Sequence, residues 1–164
     1  MDSEPVEVVV EIPKGSRNKF EYDDQRNCFR LDRVLYSSVH YPTDYGYVPD
    51  TLAEDGDHLD ALIIVTEPTF TGCHIVVRPI GVLSMSDENG VDSKILAVPV
   101  RDPRFDEYAD LAGVPSHLLL EIENFFATYK VLEGKATATL GWSDALRARE
   151  VIREARERWQ SRHR

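Results

Sequence analysis

At 164 residues the chain fits one domain, 1–164, with enough length to bury a core without disulfides. Composition is ordinary for a globular protein, 42% apolar and 29% charged, and no apolar run approaches the roughly 20 residues of a membrane helix. A formal net charge of −10 and a pI near 4.9 argue against a nucleic-acid groove.

The opening stretch MDSEPVEVVVEIPKG lacks the basic-then-apolar order of a secretory leader. With no leader, Cys28 and Cys73 read as free thiols, and the expected compartment is the cytoplasm. Val6, Val8, Val10 and Ile12 recur with a period of two, which predicts a strand stopped by Pro13-Lys14-Gly15-Ser16. Lys19-Phe20-Glu21-Tyr22 alternates again, with Lys19 and Glu21 on one face. Phe29 to Leu31 is a candidate short strand. Ala61 to Val65 is continuously apolar, as a buried strand requires. His74 to Leu83 and Lys94 to Val100 predict two more strands around the turn-rich Ser86-Asp87-Glu88-Asn89-Gly90.

The last third reads as helix. Leu119, Ile122, Phe126 and Tyr129 share one helical face, with Ser116 as the expected cap and Gly134 as the break. A second helix starts near Ser143-Asp144 and carries Ala145, Ala148, Ile152, Ala155 and Trp159 on one stripe. Its opposite face is rich in Arg and reads as solvated, with Glu154 and Arg158 at pairing distance along the helix. Trp142 and Trp159 read as packing residues. Strands followed by helices predict an α+β fold around a small closed or partly closed sheet.

Chemistry concentrates in Asp55-Gly56-Asp57-His58-Leu59-Asp60, three carboxylates in six residues of an already acidic chain. Asp and Gly favour turns, so the bare alternative is a solvated loop. A calcium loop of the EF-hand type fails, because Leu59 and Asp60 fall where that loop needs an acid and a Gly. Cys73-His74 is too isolated for zinc. Hard oxygen donors without His or Cys favour Mg²⁺ or Mn²⁺, and such ions remove the repulsion among clustered carboxylates. Asp87 and Asp92 add acids near the later turn, and Glu11 and Glu21 project from strands. Lys19, Arg33, Lys94 and Lys130, with Tyr41, Tyr45 and Tyr129, supply cations and hydroxyl donors for phosphate oxygens. Together they describe a site for a small polyanion chelated to metal.

The ordered motifs resemble the soluble family I inorganic pyrophosphatases, in the short bacterial form. The residues carrying the likeness are the aspartate signature at Asp55, Asp57 and Asp60, then Glu11-Ile12-Pro13, Lys19-Phe20-Glu21, Asp32-Arg33, Tyr41-Pro42-Thr43-Asp44-Tyr45-Gly46-Tyr47, Arg78-Pro79-Ile80-Gly81, Asp87-Glu88-Asn89-Gly90, Asp92-Ser93-Lys94 and Phe125-Phe126-Ala127-Thr128-Tyr129-Lys130. The resemblance spans about residues 6 to 142. It implies an OB-like closed β-barrel with helices packed against it. It implies Mg²⁺-dependent hydrolysis of pyrophosphate to two phosphates, by direct attack of a water bridging metals and without a covalent intermediate, with several ions bound and Mn²⁺ or Zn²⁺ as substitutes. Asp55, Asp60, Asp87 and Asp92 would ligate metal, and Glu11 would hold it through water. Asp57 would be the general base. Lys19, Arg33, Tyr45, Lys94, Tyr129 and Lys130 would bind phosphate oxygens, and Glu21 and Tyr41 would line the same cavity. A homo-oligomer, a hexamer, is also implied. His58 departs from the family pattern, which usually has Pro there, and an imidazole beside the acids is a candidate pH-sensitive neighbour of the metals. Competing readings are a non-catalytic metal–phosphate binding protein and a nucleotide phosphohydrolase, the latter needing an aromatic base pocket that the sequence does not mark.

Overall fold

The computed structural model describes residues 4–163. Residues 1–3, read above for a leader, and Arg164 lie outside the described residues. Eight strands and two helices follow in the order β1 (Val6–Ile12), β2 (Asn18–Asp23), β3 (Cys28–Val34), β4 (Asp44–Val48), β5 (Leu59–Ile63), β6 (His74–Asp87), β7 (Gly90–Pro99), α1 (Ser116–Thr128), β8 (Ala138–Asp144) and α2 (Ala145–Arg162). The architecture is mostly sheet, with two helices. Six strands form one sheet in the order β1-β4-β5-β7-β6-β8, and β1 also pairs with β6. Strands β2 and β3 form a separate antiparallel ribbon. No described helix is long and apolar enough to cross a membrane.

Two apolar clusters lie on the two sides of the main sheet, which explains the unbroken apolar runs. On β5, Leu59, Ala61 and Ile63 enter one cluster while Leu62 enters the other. On β7, Ile95 and Ala97 part from Leu96 and Val98 in the same way. The first cluster is closed by Ala148, Val151, Ile152 and Ala155 of α2, small residues that let the helix lie close to the sheet. The second is aromatic, closed by Ile122, Phe125 and Phe126 of α1 against Tyr41 and Tyr45. Register shifts move side chains between the two sides. In β6 the shift between Pro79 and Gly81 sends Ile80 and Leu83 to the aromatic side while Val77 and Val82 stay on the other.

Several expected boundaries moved. The strand expected at Ala61–Val65 starts at Leu59, and β6 continues through the expected turn to Asp87, where the hairpin is tight and Gly90 takes φ 111°. Ser116 is the first helical residue rather than the cap; Pro115 precedes it and no side chain caps the helix. Gly134 closes a 3₁₀ turn, Val131–Glu133, that follows α1. Asp144 caps α2, its carboxylate accepting from the Arg147 N–H. Arg158 donates to the Leu52 carbonyl, and Glu154 faces Arg147 at 3.2 Å, so the expected Glu154–Arg158 pair is replaced by two other contacts. Strands β4 and β8 were not among the expected elements.

Candidate active site

A cavity of about 670 Å³ opens between the β2–β3 ribbon, the loop before β5, the β6–β7 hairpin and the ends of α1 and α2. The loop is shaped by its own short-range bonds. Thr51 Oγ1 donates to the Val48 carbonyl and accepts from Leu59 N–H, bridging the two strand ends. Ala53 N–H donates to the Asp57 carbonyl at 2.7 Å, Gly56 turns at φ 93°, and Asp57 N–H donates to its neighbour Asp55 Oδ1. A residue with a side chain would be strained at Gly56, so the glycine between the two acids is what lets them share the loop. Asp87 likewise accepts from Asn89 N–H at the hairpin tip.

Sheet register does the rest. The β5–β7 pairing is parallel and sets Asp60 opposite Lys94. Asp92 lies two residues before Lys94, on the same strand face. Lys94 is almost fully buried. Its Nζ donates to Tyr45 Oη at 2.9 Å and to Asp60 Oδ2 at 3.0 Å, and lies 2.9 Å from Asp92 Oδ2. It also sits 5.0 Å from the centre of the Phe126 ring. Burial opposes the ammonium charge, but Asp60 first, then Tyr45 and Asp92, outweigh it and hold the pKa well above 10.5. Lys94 is thus a fixed cation among acids.

One ammonium does not neutralise the acids around it. Glu11 is pushed up to about 7 by burial, against the hydrogen bond from Tyr22 N–H and with the Asp60 charge adding to the rise. Asp57 is raised by burial, then by Asp55 and Asp60. Asp92 is raised by burial, with Lys94 pulling the other way. These carboxyls are shifted toward their neutral forms first by burial and then by the like charge of neighbouring acids. Among the described residues no three Asp, Glu, His or Cys side chains converge tightly enough to ligate one ion as they stand. The donor chemistry nevertheless fits a hard divalent cation, since all the acids are oxygen donors and the reluctance of Glu11, Asp57 and Asp92 to ionise is the strain such a charge relieves.

Opposite the acids stand the cations and phenols. Lys19 Nζ is 3.4 Å from Asp32 Oδ2 and 3.8 Å from Glu21 Oε2. Lys130 Nζ is 3.9 Å from Asp87 Oδ2. Burial lifts the Tyr129 phenol to about 12 and raises Tyr45 well above the ordinary phenol value, so both keep their hydroxyl protons at neutral pH.

Of the residues expected from the sequence, Glu11, Lys19, Glu21, Tyr45, Asp55, Asp57, Asp60, Asp87, Asp92, Lys94, Tyr129 and Lys130 all line this cavity. Arg33 and Tyr41 are not on its wall. Tyr41 is buried, its ring 4.7 Å from Phe125 and 5.4 Å from Tyr45. Arg33 stands off the wall, held by Asp32 and Glu133, with its charge acting on the Tyr129 phenol. His58 lines the cavity too, stacked on Tyr47 at 4.8 Å with Nε2 3.5 Å from Asp24. Sequence reasoning missed Trp159 and His163 at the end of α2, whose rings stack at 4.1 Å and reach the cavity. Trp159 shares its helical stripe with buried alanines, so nothing in the periodicity separates it from the packing set.

The inorganic pyrophosphatase family profile matches residues 8–160. The inorganic pyrophosphatase of Methanosarcina mazei is 54% identical over 152 residues, covering 93% of this chain and 90% of that protein. That of Synechocystis is 54% identical over 139 residues, 85% of this chain and 82% of that one. The crystal structure of inorganic pyrophosphatase from Thermus thermophilus superposes with a TM-score of 0.94 at 44% identity, covering 96% of this chain and 92% of its own. A match over nearly the whole chain, on a fold that gathers the acids and lysines into one cup, places the protein in the soluble inorganic pyrophosphatase family.

Proposed function

We propose that this chain is an inorganic diphosphatase, a hydrolase that splits pyrophosphate into two phosphates with Mg²⁺ as the working metal and several ions bound in turnover. The observation that carries the reading is the Lys94 knot inside an under-neutralised acidic cavity, on a family fold. Asp55, Asp60, Asp87 and Asp92 would hold metal, and Glu11 would assist through water. Divalent ions held there would neutralise substrate charge and acidify a water. Mn²⁺ and Zn²⁺ are the expected substitutes.

Asp57 is the general base. Its raised pKa, at a position fixed by the Asp55–Asp57 turn, suits a group that takes a proton from attacking water. Water oxygen bonds to one phosphorus, the bridging P–O bond breaks, and the second phosphate leaves. Lys19, Lys94, Lys130, Tyr45 and Tyr129 donate to the phosphoryl oxygens, with Arg33 joining them from off the wall. Glu21 and Tyr41 support the lysine wall and the Tyr45 ring. No covalent intermediate forms.

The same reading takes β1, β4, β5, β7 and β6, in which β1 pairs at both ends, as an OB-like closed barrel within one domain over 1–164. It places the protein in the cytoplasm as a homohexamer; exposed Leu132, Leu140 and Phe70 are the kind of surface that subunit contacts cover. Phosphate release from pyrophosphate, measured with Mg²⁺, Mn²⁺, Zn²⁺ and Ca²⁺ in turn and again with EDTA, tests the function. Release with Mg²⁺ that EDTA abolishes supports it, and no release with any metal ends it.

The Trp159–His163 stack favours a second reading, hydrolysis of nucleoside polyphosphates with the base on that shelf. Turnover of ATP comparable with that of pyrophosphate would select it.

A further inference from the structure

Glu133 belongs to none of the motifs above. It ends the short 3₁₀ turn three residues beyond Lys130, and Gly134, at φ 75°, turns the chain away behind it. Its side chain is only 6% exposed. Oε1 lies 2.9 Å from Arg33 Nε, while Oε2 is buried with no hydrogen-bond partner. The Arg33 Nε–H is not aimed squarely at the carboxylate, so the contact is an ion pair rather than a well-formed hydrogen bond. A buried carboxylate with one counter-ion and an empty second oxygen is a costly arrangement that packing alone does not call for.

The pair joins two elements that carry wall residues, the β2–β3 ribbon and the turn after α1, with no sheet bond between them. Arg33 is on β3 and faces Lys19 across the ribbon. Glu133 follows Tyr129 and Lys130 at the end of α1. The ribbon is a separate two-stranded sheet, so its distance from α1 is not set by the main sheet's ladder. Burial works against the Arg33 charge, but Glu133 and then Asp32 more than offset it and hold the guanidinium firmly protonated. The Arg33 charge reaches the Tyr129 phenol, which lines the cavity. Asp32 is the more exposed of the two acids and is shared with Lys19. Its hold on Arg33 is the looser one, because water can replace it; the hold of buried Glu133 is not replaceable in that way.

We propose that Glu133 is a positioning residue for substrate binding: it anchors Arg33 just off the cavity wall, so that Nη2, the nitrogen that neither Glu133 nor Asp32 engages, turns to a phosphate oxygen beside Tyr129 and Lys130. The proposal rests on the pyrophosphatase reading. Glu133 touches no substrate. It acts by fixing where Arg33 stands, and with Arg33 the ribbon that carries Lys19.

A double-mutant cycle tests it, with Glu133→Gln, Arg33→Gln and the double variant assayed for pyrophosphate hydrolysis with Mg²⁺ and for thermal melting. Glu133→Gln is expected to raise KM about tenfold with kcat within about twofold, the size of coupling typical of contacting pairs. In the Arg33→Gln background the same change is expected to move KM less than about twofold. Glu133→Asp, which keeps the charge, is expected to recover part of the affinity. A purely structural role would instead lower the melting temperature and the active fraction, leaving KM unmoved, and would overturn the proposal; so would KM effects that multiply in the double variant. Should Glu133→Gln not fold, Glu133→Asp takes its place in the cycle, with a smaller KM rise expected in the parent and none in the Arg33→Gln background; equal KM effects in both backgrounds would overturn the proposal. Absence of hydrolysis by the unmutated chain would count against the proposed function itself, whereas an active parent with uncoupled variants would count against Glu133 alone.

Discussion

Replacing Glu11 by Gln isolates the electrostatic cost of assembling the acidic cup. Glu11 sits at the end of β1, accepts from Tyr22 N–H at 2.9 Å, and is raised from the ordinary 4.5 to about 7, mainly by burial. The folded chain therefore holds the Glu11 proton more tightly than the unfolded chain does. Below pH 4.5 both states are protonated and the group is neutral toward stability. As pH rises from 4.5 to about 7 the unfolded state ionises first and folding loses stability; above that the full cost is present. At ~1.4 kcal/mol per pH unit, the cost comes to about 3 kcal/mol in the metal-free protein. Gln keeps an acceptor oxygen for Tyr22 N–H and carries no charge. Thermal or urea melts of parent and Glu11→Gln with chelator present should coincide near pH 4.5 and separate at about pH 8, with the variant about 6–12 °C more stable. With Mg²⁺ the ranking should reverse, because the parent alone gains a fully ionised carboxylate beside the ion. Stability curves that run parallel across this pH range would refute the account of Glu11 as a strained acid.

Asp57→Asn should lower turnover by about 10²–10⁴-fold, the usual contribution of a positioned base, while melting stays near the parent's; steady-state phosphate release compared with calorimetric Mg²⁺ binding checks it. Lys94→Met removes the one buried cation that faces Asp60 and Asp92, and urea unfolding of the metal-free protein should show a loss of about 3–5 kcal/mol. Equal stability would mean that the two acids are already relieved by water. Gly46→Ala would drive a methyl into the Val9 carbonyl across the β1–β4 pair, and the soluble yield on expression should collapse, whereas Gly15→Ala, with open space around it, should cost about 1 kcal/mol by melting.

Much of this molecule was written locally. The alternation of β1 and the unbroken apolar runs of β5 and β7 follow from side chains that face one cluster or two. Strand β4 was illegible because it opens with a fully buried aspartate. Asp44 reads as a loop residue until its partners are known: the Lys14 and Thr69 N–H groups and the Thr69 hydroxyl, 25 to 30 positions away, satisfy its carboxylate. Strand β8 contains Gly141 at φ 103° and lies at the edge of its sheet, so neither composition nor period marks it. Among the site residues, Asp55, Asp57 and Asp60 were legible from spacing in one loop. Joining them to Asp87, Asp92 and Lys94 came from charge type and turn placement, and the family likeness then gave each residue a role. Trp159, Glu133 and the absence of Arg33 from the cavity wall depend on where α2 and the 3₁₀ turn come to rest, which no short window of sequence encodes.

The parallel pairing of β5 with β7 has a consequence for how the chain matures. Hairpins such as β6–β7 close between near neighbours, but Asp60 and Lys94 are brought opposite each other only after the intervening segment has already turned back on itself. Ion capture is then expected late in folding, once β5 and β7 have paired. Divalent salt should slow the escape from the finished state far more than it hastens arrival there.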